Sequence, residues 1–124
     1  MNNFKKNLHL IISILIVIPA AFVYGFQPNL VLNVAINTID EHNILKAIMG
    51  LYLAFASLWI SGIINQKFWK TATISNMLFM LGLGFGRIIS IISDGTPSTI
   101  FVLGIIGELV LGIYALIQLK SIRK

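Results

Sequence analysis

KTATISNMLFMLGLGFGRIISIIS, residues 70–93, carries one charge after its opening lysine, Arg87, in an otherwise apolar run. At about 1.5 Å of rise per residue, a helix over this run outspans the roughly 30 Å hydrocarbon core of a bilayer. Asp94, Gly95, Thr96 and Pro97 follow; Asp-Gly and Pro supply turn chemistry, and Ser98 stands where it can cap the next helix. The apolar run over residues 98–119 then returns across the same thickness, so the two are predicted to be antiparallel neighbours. Upstream, only Asn65 to Trp69 separate residue 70 from another apolar run over residues 44–65. A further run covers residues 8–26.

Composition agrees with this pattern. Of 124 residues, 57% are hydrophobic and 10% charged, and the mean hydropathy is +0.92. Ordinary soluble domains hold roughly 45–50% apolar and 25% charged residues. Such a chain needs lipid as its solvent, and its length holds four spans with short connections and no second domain. The sequence therefore predicts an all-α integral membrane four-helix bundle forming a single domain over residues 1–124. The first run follows Lys5 and Lys6, as a signal peptide would, but its length, Pro19 and the lack of a small-x-small cleavage site read as a retained helix. The absence of cysteine excludes disulfides, thiol catalysis and thiolate metal sites.

The net charge of +5 and pI near 9.8 come from basic residues at the ends of apolar runs. They form no dense patch with interleaved aromatics, so the expected partner is a lipid bilayer and not nucleic acid. Lys5, Lys6, Lys67, Lys70, Lys120, Arg123 and Lys124 fall on one side; Asp40, Glu41 and Asp94 fall opposite, with Lys46 alone among the lysines. Positive-inside retention then predicts a multi-pass protein of the bacterial inner membrane with both termini cytoplasmic, and Trp59 and Trp69 in an aromatic belt near that side. In residues 27–43, Asn29, Asn33, Asn37 and Asp40 recur at helical spacing, which suggests an amphipathic segment on the outer interface. The alternation of Leu30, Leu32, Val34 and Ile36 with their neighbours also fits a strand.

Polar groups within a span are costly unless satisfied, which makes intramembrane charges the first candidates for function. Arg87 lies about 10 Å, and Glu108 about 15 Å, below the outer ends of their runs. Because side chains tilt toward their own helix N-terminus, the two lean toward each other on antiparallel helices, and an ion pair is expected. Asn76, Arg87, Ser90 and Asp94 project within about 60° of one another at 100° per residue. This polar stripe is expected to face the bundle interior, with Lys46 joining Arg87, Glu108 and Asp94 in an outward-opening vestibule. Gly82 and Gly86 at four-residue spacing, Gly104 and Gly112 beside Glu108, and Gly50 on the second run are read as helix-packing positions; a homo-oligomer interface is the alternative. His9 and His42 sit at opposite membrane ends and make no metal pair. No nucleophile-base arrangement is recognisable, and Gly82, Gly84 and Gly86 lie inside a span, not in a phosphate loop.

Lys46-Ala47-Ile48-Met49-Gly50-Leu51-Tyr52, Gly86-Arg87-Ile88-Ile89-Ser90, Asp94-Gly95-Thr96-Pro97-Ser98 and Glu108-Leu109 together resemble the DUF4345 family from about residue 43 onward. The resemblance implies a small four-helix bacterial membrane protein of no established activity, similar in fold to DoxX-like proteins, an analogy that transfers no function. Where that family often has Arg-Ala before Met-Gly-x-Tyr, this chain has Lys46, which keeps the charge without the bidentate fork. Two readings of function stand. One is a non-enzymatic accessory or structural membrane protein, alone, as an oligomer or in a larger membrane complex, with no cofactor. The other is a binder or transporter of a small anionic or amphiphilic ligand, such as a lipid or quinone, at Arg87.

Overall fold

The computed structural model describes residues 3–28 and 35–123. It holds four helices: α1 (Asn3–Phe26), α2 (Ile39–Ile64), α3 (Trp69–Asp94) and α4 (Thr99–Arg123), with a 3-10 turn over Gln66–Phe68 between α2 and α3. Each is long and apolar enough to cross a membrane, and no strand occurs among the described residues. α1 runs unbroken through Pro19, which lies on its exposed face.

α2 starts five residues before the expected position at Ile44, because Thr38-x-x-Glu41 is a capping box that hydropathy does not register. Glu41 donates its backbone N–H to Thr38 Oγ1 at 3.1 Å, and its carboxylate accepts the N–H groups of Asn37 and Thr38 at 2.8 Å each. Thr38→Ala is expected to cost about 1 kcal/mol of unfolding stability, and Thr38→Ser to cost less, in thermal denaturation of the purified protein. Residues 29–34 of the expected interface segment, Asn29 and Asn33 among them, lie outside the described residues. Ala35 to Asn37 are non-helical, and Asp40 belongs to the first turn of α2.

The chain reverses after α2 through Asn65, whose side-chain oxygen accepts the Lys67 N–H at 3.0 Å. It leaves α3 through Gly95, whose φ of 106° suits glycine and few other residues. Ser98 opens α4 through its carbonyl, which accepts from Phe101 at 2.9 Å and Val102 at 3.3 Å.

α1 packs along α2 and α3 along α4, α2 joins α3, and α1 touches both α3 and α4; among the described residues α2 and α4 do not meet. α1 and α3 run parallel across the closed diagonal. His9 Nε2 lies 3.0 Å from Thr73 Oγ1 near their starts, and Arg87 Nη2 donates to Tyr24 OH at 3.0 Å near their ends. Both described chain ends therefore share one end of the bundle with the α2–α3 turn. Trp59 and Trp69 are buried core residues and form no belt: Trp59 donates to Ser75 Oγ at 3.1 Å and meets Phe79 edge-on at 5.1 Å.

The close helix contacts use different glycines from those expected. A Cβ on Gly82, Gly86, Gly50 or Gly104 would meet nothing within 4 Å. Of the expected set, Gly112 alone is tight, lying against Leu81, while Gly84 takes Leu109, Gly62 takes Ala72 and Gly25 takes Met49. Four-residue spacing marks a face of a helix and does not say which neighbour occupies it.

Candidate functional site

Three helices converge on Arg87. Its Nε donates to both oxygens of Glu108 on α4, at 3.0 and 3.2 Å, and its Nη2 donates to Tyr24 OH on α1 at 3.0 Å. The guanidinium lies 5.6 Å from the Phe101 ring centre. These bonds leave the Nη1 hydrogens without a partner among the described residues. Tyr24 in turn packs edge-on against buried Tyr52 of α2, ring centres 5.5 Å apart, so all four helices support the group.

Beneath this polar roof lies a cavity of about 280 Å³. Arg87, Glu108 and Tyr24 line its upper part, and Val17, Met80 and Leu111 are buried on its opposite side. Its wall at the α1–α4 seam includes Ile16, Leu103, Gly104 and Gly107. Ile16 and Leu103 are exposed, and the two glycines present no side chain, so the cavity opens sideways between α1 and α4. Two shallower grooves also reach Arg87, one beside Pro97 and Phe101, the other between α2 and α3 at Ile48, Gly82 and Gly86.

The other expected site residues do not gather here. Ser90 donates to Asp94 Oδ2 at 3.0 Å, an exposed bond within one turn of α3, although Ser90 also borders both grooves. Lys46 Nζ donates to the Gly25 carbonyl at 2.9 Å and lies 5.4 Å from the Phe26 ring, so it closes the end of α1. Asn76 is fully buried but sits about 16 Å along α3 from Arg87. The expected vestibule of Arg87, Glu108, Asp94 and Lys46 is thus replaced by a smaller group of Arg87, Glu108 and Tyr24. Alignment on one helix face did not bring the stripe together, because its members lie at different depths.

Tyr24 and Tyr52 are the members that sequence reasoning missed. Tyr24 ends the first apolar run at the depth of Arg87, which was readable from topology; its facing direction was not. Among the described residues no three His, Asp or Glu side chains come together as a metal site. What the arrangement offers chemically is a charge-neutral pair with spare guanidinium donors over an apolar chamber.

A family model described as a domain of unknown function (DUF4345) matches residues 6–119. Neither a curated protein nor a solved structure matches significantly.

Proposed function

The chain belongs to the DUF4345 family, which carries no assigned function, and we propose from its own geometry that it is a non-enzymatic membrane protein that binds a small amphiphile beneath Arg87. The cavity under the Arg87–Glu108–Tyr24 roof carries this reading. Its apolar walls suit a hydrocarbon chain, and the Nη1 hydrogens suit a head that accepts hydrogen bonds. Glu108 already neutralises Arg87, so an anion would have to displace a carboxylate held through two contacts. An uncharged or zwitterionic acceptor head has no such competitor. The volume of about 280 Å³ lies at the lower edge of ligand pockets, which favours one chain over two. Entry runs laterally from the bilayer through the α1–α4 seam.

In this reading four helices span the inner membrane of a bacterium. Lys5, Lys6, Lys67, Lys70 and Lys120 mark the cytoplasmic end, with both termini, and the cavity occupies the outer half.

Native mass spectrometry from mild detergent tests the proposal on the wild type and on Gly104→Leu, whose Cβ meets nothing within 4 Å and whose side chain fills the seam. The wild type is expected to carry a single-chain amphiphile that Gly104→Leu loses, with the thermal unfolding of the variant little changed. A bare wild-type particle whose unfolding ignores added uncharged single-chain amphiphiles would refute it. A second reading, an accessory subunit whose ion pair fixes helix register, draws on the engagement of both Glu108 oxygens and Tyr24 by one side chain.

A further inference from the structure

The opposite half of the bundle contains a second set of buried polar residues that the amphiphile site does not use. His9, Ser13, Thr73 and Asn76 are completely buried, and Asn7, nearest the bundle end, is 8% exposed. The His9–Thr73 bond joins two of them. Asn7 Oδ1, His9 Nδ1, Ser13 Oγ, Trp69 Nε1 and both amide atoms of Asn76 are buried without a partner among the described residues. Buried polar groups in folded proteins are almost always paired, with protein or with ordered water.

These orphaned atoms share a place. α1 and α3 are parallel and joined at His9 and Thr73; Ser13 is one turn further along α1, and Asn76 three residues further along α3. Both therefore arrive at the same level, on helices already in contact. Trp69 and Tyr114 meet the His9 ring edge-on, each at 5.9 Å, and close the sides of the layer. One further turn up, Val17 and Met80 occupy the corresponding positions and are buried with Ala56 and Leu111. Val17, Met80 and Leu111 also line the cavity beneath Arg87.

We infer that the layers around His9 and Asn76 hold a cluster of internal water molecules, separated from the Arg87 cavity by a dry barrier of Val17, Met80 and Leu111. The donor and acceptor balance selects water. Trp69 offers only an N–H, Asn7 Oδ1 and Asn76 Oδ1 only accept, and Ser13 does both. A cation would face the Trp69 and Asn76 donors, and an anion would face the Asn oxygens; a small neutral molecule that both donates and accepts satisfies all of them. At roughly one buried water per 27 residues in folded proteins, several are ordinary for a chain of this length. Asn7, the most exposed member, marks where the cluster exchanges with bulk water. The inference does not depend on the amphiphile reading.

Water-edited solid-state NMR of the wild-type protein in lipid bilayers tests it directly. Polarisation from water is expected to reach the Asn76 amide, Trp69 Nε1 and Ser13 several-fold faster than it reaches Val17 and Met80. Build-up at Asn76 and Ser13 as slow as at Val17 and Met80 would overturn the water cluster. Met80→Ser is then expected to extend rapid build-up to Tyr52 and to raise the proton permeability of proteoliposomes above that of wild type and of Met80→Leu. If Met80→Ser leaves both unchanged while Asn76 is wet, the barrier assignment is overturned.

Discussion

Glu108→Leu is expected to lower unfolding stability by about 3 kcal/mol, and Arg87→Met by a similar amount, because each leaves the other charge in an apolar setting. The value lies at the low end for removing one partner of a buried pair, since Arg87 and Glu108 keep 24% and 15% side-chain exposure. The double variant Arg87→Met with Glu108→Leu is expected to recover most of the loss, as apolar pairs often replace buried ion pairs without net cost. Reversible unfolding in mixed micelles measures all three. A double variant as unstable as the worse single one would mean that mutual neutralisation is not what the pair provides. Tyr24→Phe removes one hydrogen bond to a charged donor and should fall between, at about 1.5 kcal/mol. The double variant also separates the two functional readings. If Arg87 holds a ligand, this variant folds and binds nothing; if the pair only sets register, it folds and keeps its cellular role.

Hydropathy and the short polar connections made the four helices legible, because span length is a one-dimensional property. The opposed tilt of Arg87 and Glu108 was legible for a related reason, since a four-residue turn fixes the antiparallel register of α3 and α4. Tyr24 was not. Its contact with Arg87 crosses the bundle between helices far apart in sequence, and no local rule states which face α1 turns toward α3. The same gap hid the His9 layer: His9 read as a lone residue near a membrane end, yet it is bonded to Thr73 and completely buried. Asn76 was expected in one inward-facing stripe with Arg87; it is buried, level with Ser13 and about 16 Å along α3 from Arg87. A shared helix face put four polar residues of α3 in one stripe; the partners contributed by α1 separate Asn76 from Arg87 into two groups.

That separation gives the bundle its functional form. Val17, Met80 and Leu111 lie between a charged group at one end and neutral polar side chains at the other. Small residues facing the α1–α4 seam leave the charged group reachable from the side, whereas the neutral group is enclosed on every side but the bundle end. A ligand at Arg87 and water at His9 would thus approach by different routes, one through lipid and one through solvent.

Gly62→Ala is expected to cost about 2 kcal/mol, within the range for overpacking a close contact. A Cβ at Gly62 would collide with the Cβ of Ala72 and stand 3.4 Å from the Phe68 carbonyl oxygen and 3.5 Å from Trp69 Cα. None of these is the free end of a flexible side chain, so relief requires α2 and α3 to separate where only Asn65 to Phe68 connect them. Gaining a better helix former returns up to about 1 kcal/mol, which the stated cost already includes. Gly86→Ala collects the same gain with nothing within 4 Å of the new atom, and should be neutral or mildly stabilising. Adding Ala72→Gly to Gly62→Ala removes the collision from the other side, and because the new glycine costs about the 1 kcal/mol that the new alanine gains, stability should return to about that of the wild type. Unfolding stability reads the energies, and the emission of buried Trp59 and Trp69, each within one helical turn of a colliding residue, should shift red in Gly62→Ala and return in the double variant. Tolerance of Gly62→Ala equal to that of Gly86→Ala would mean that the Asn65 turn, and not the helix contact, holds α2 against α3.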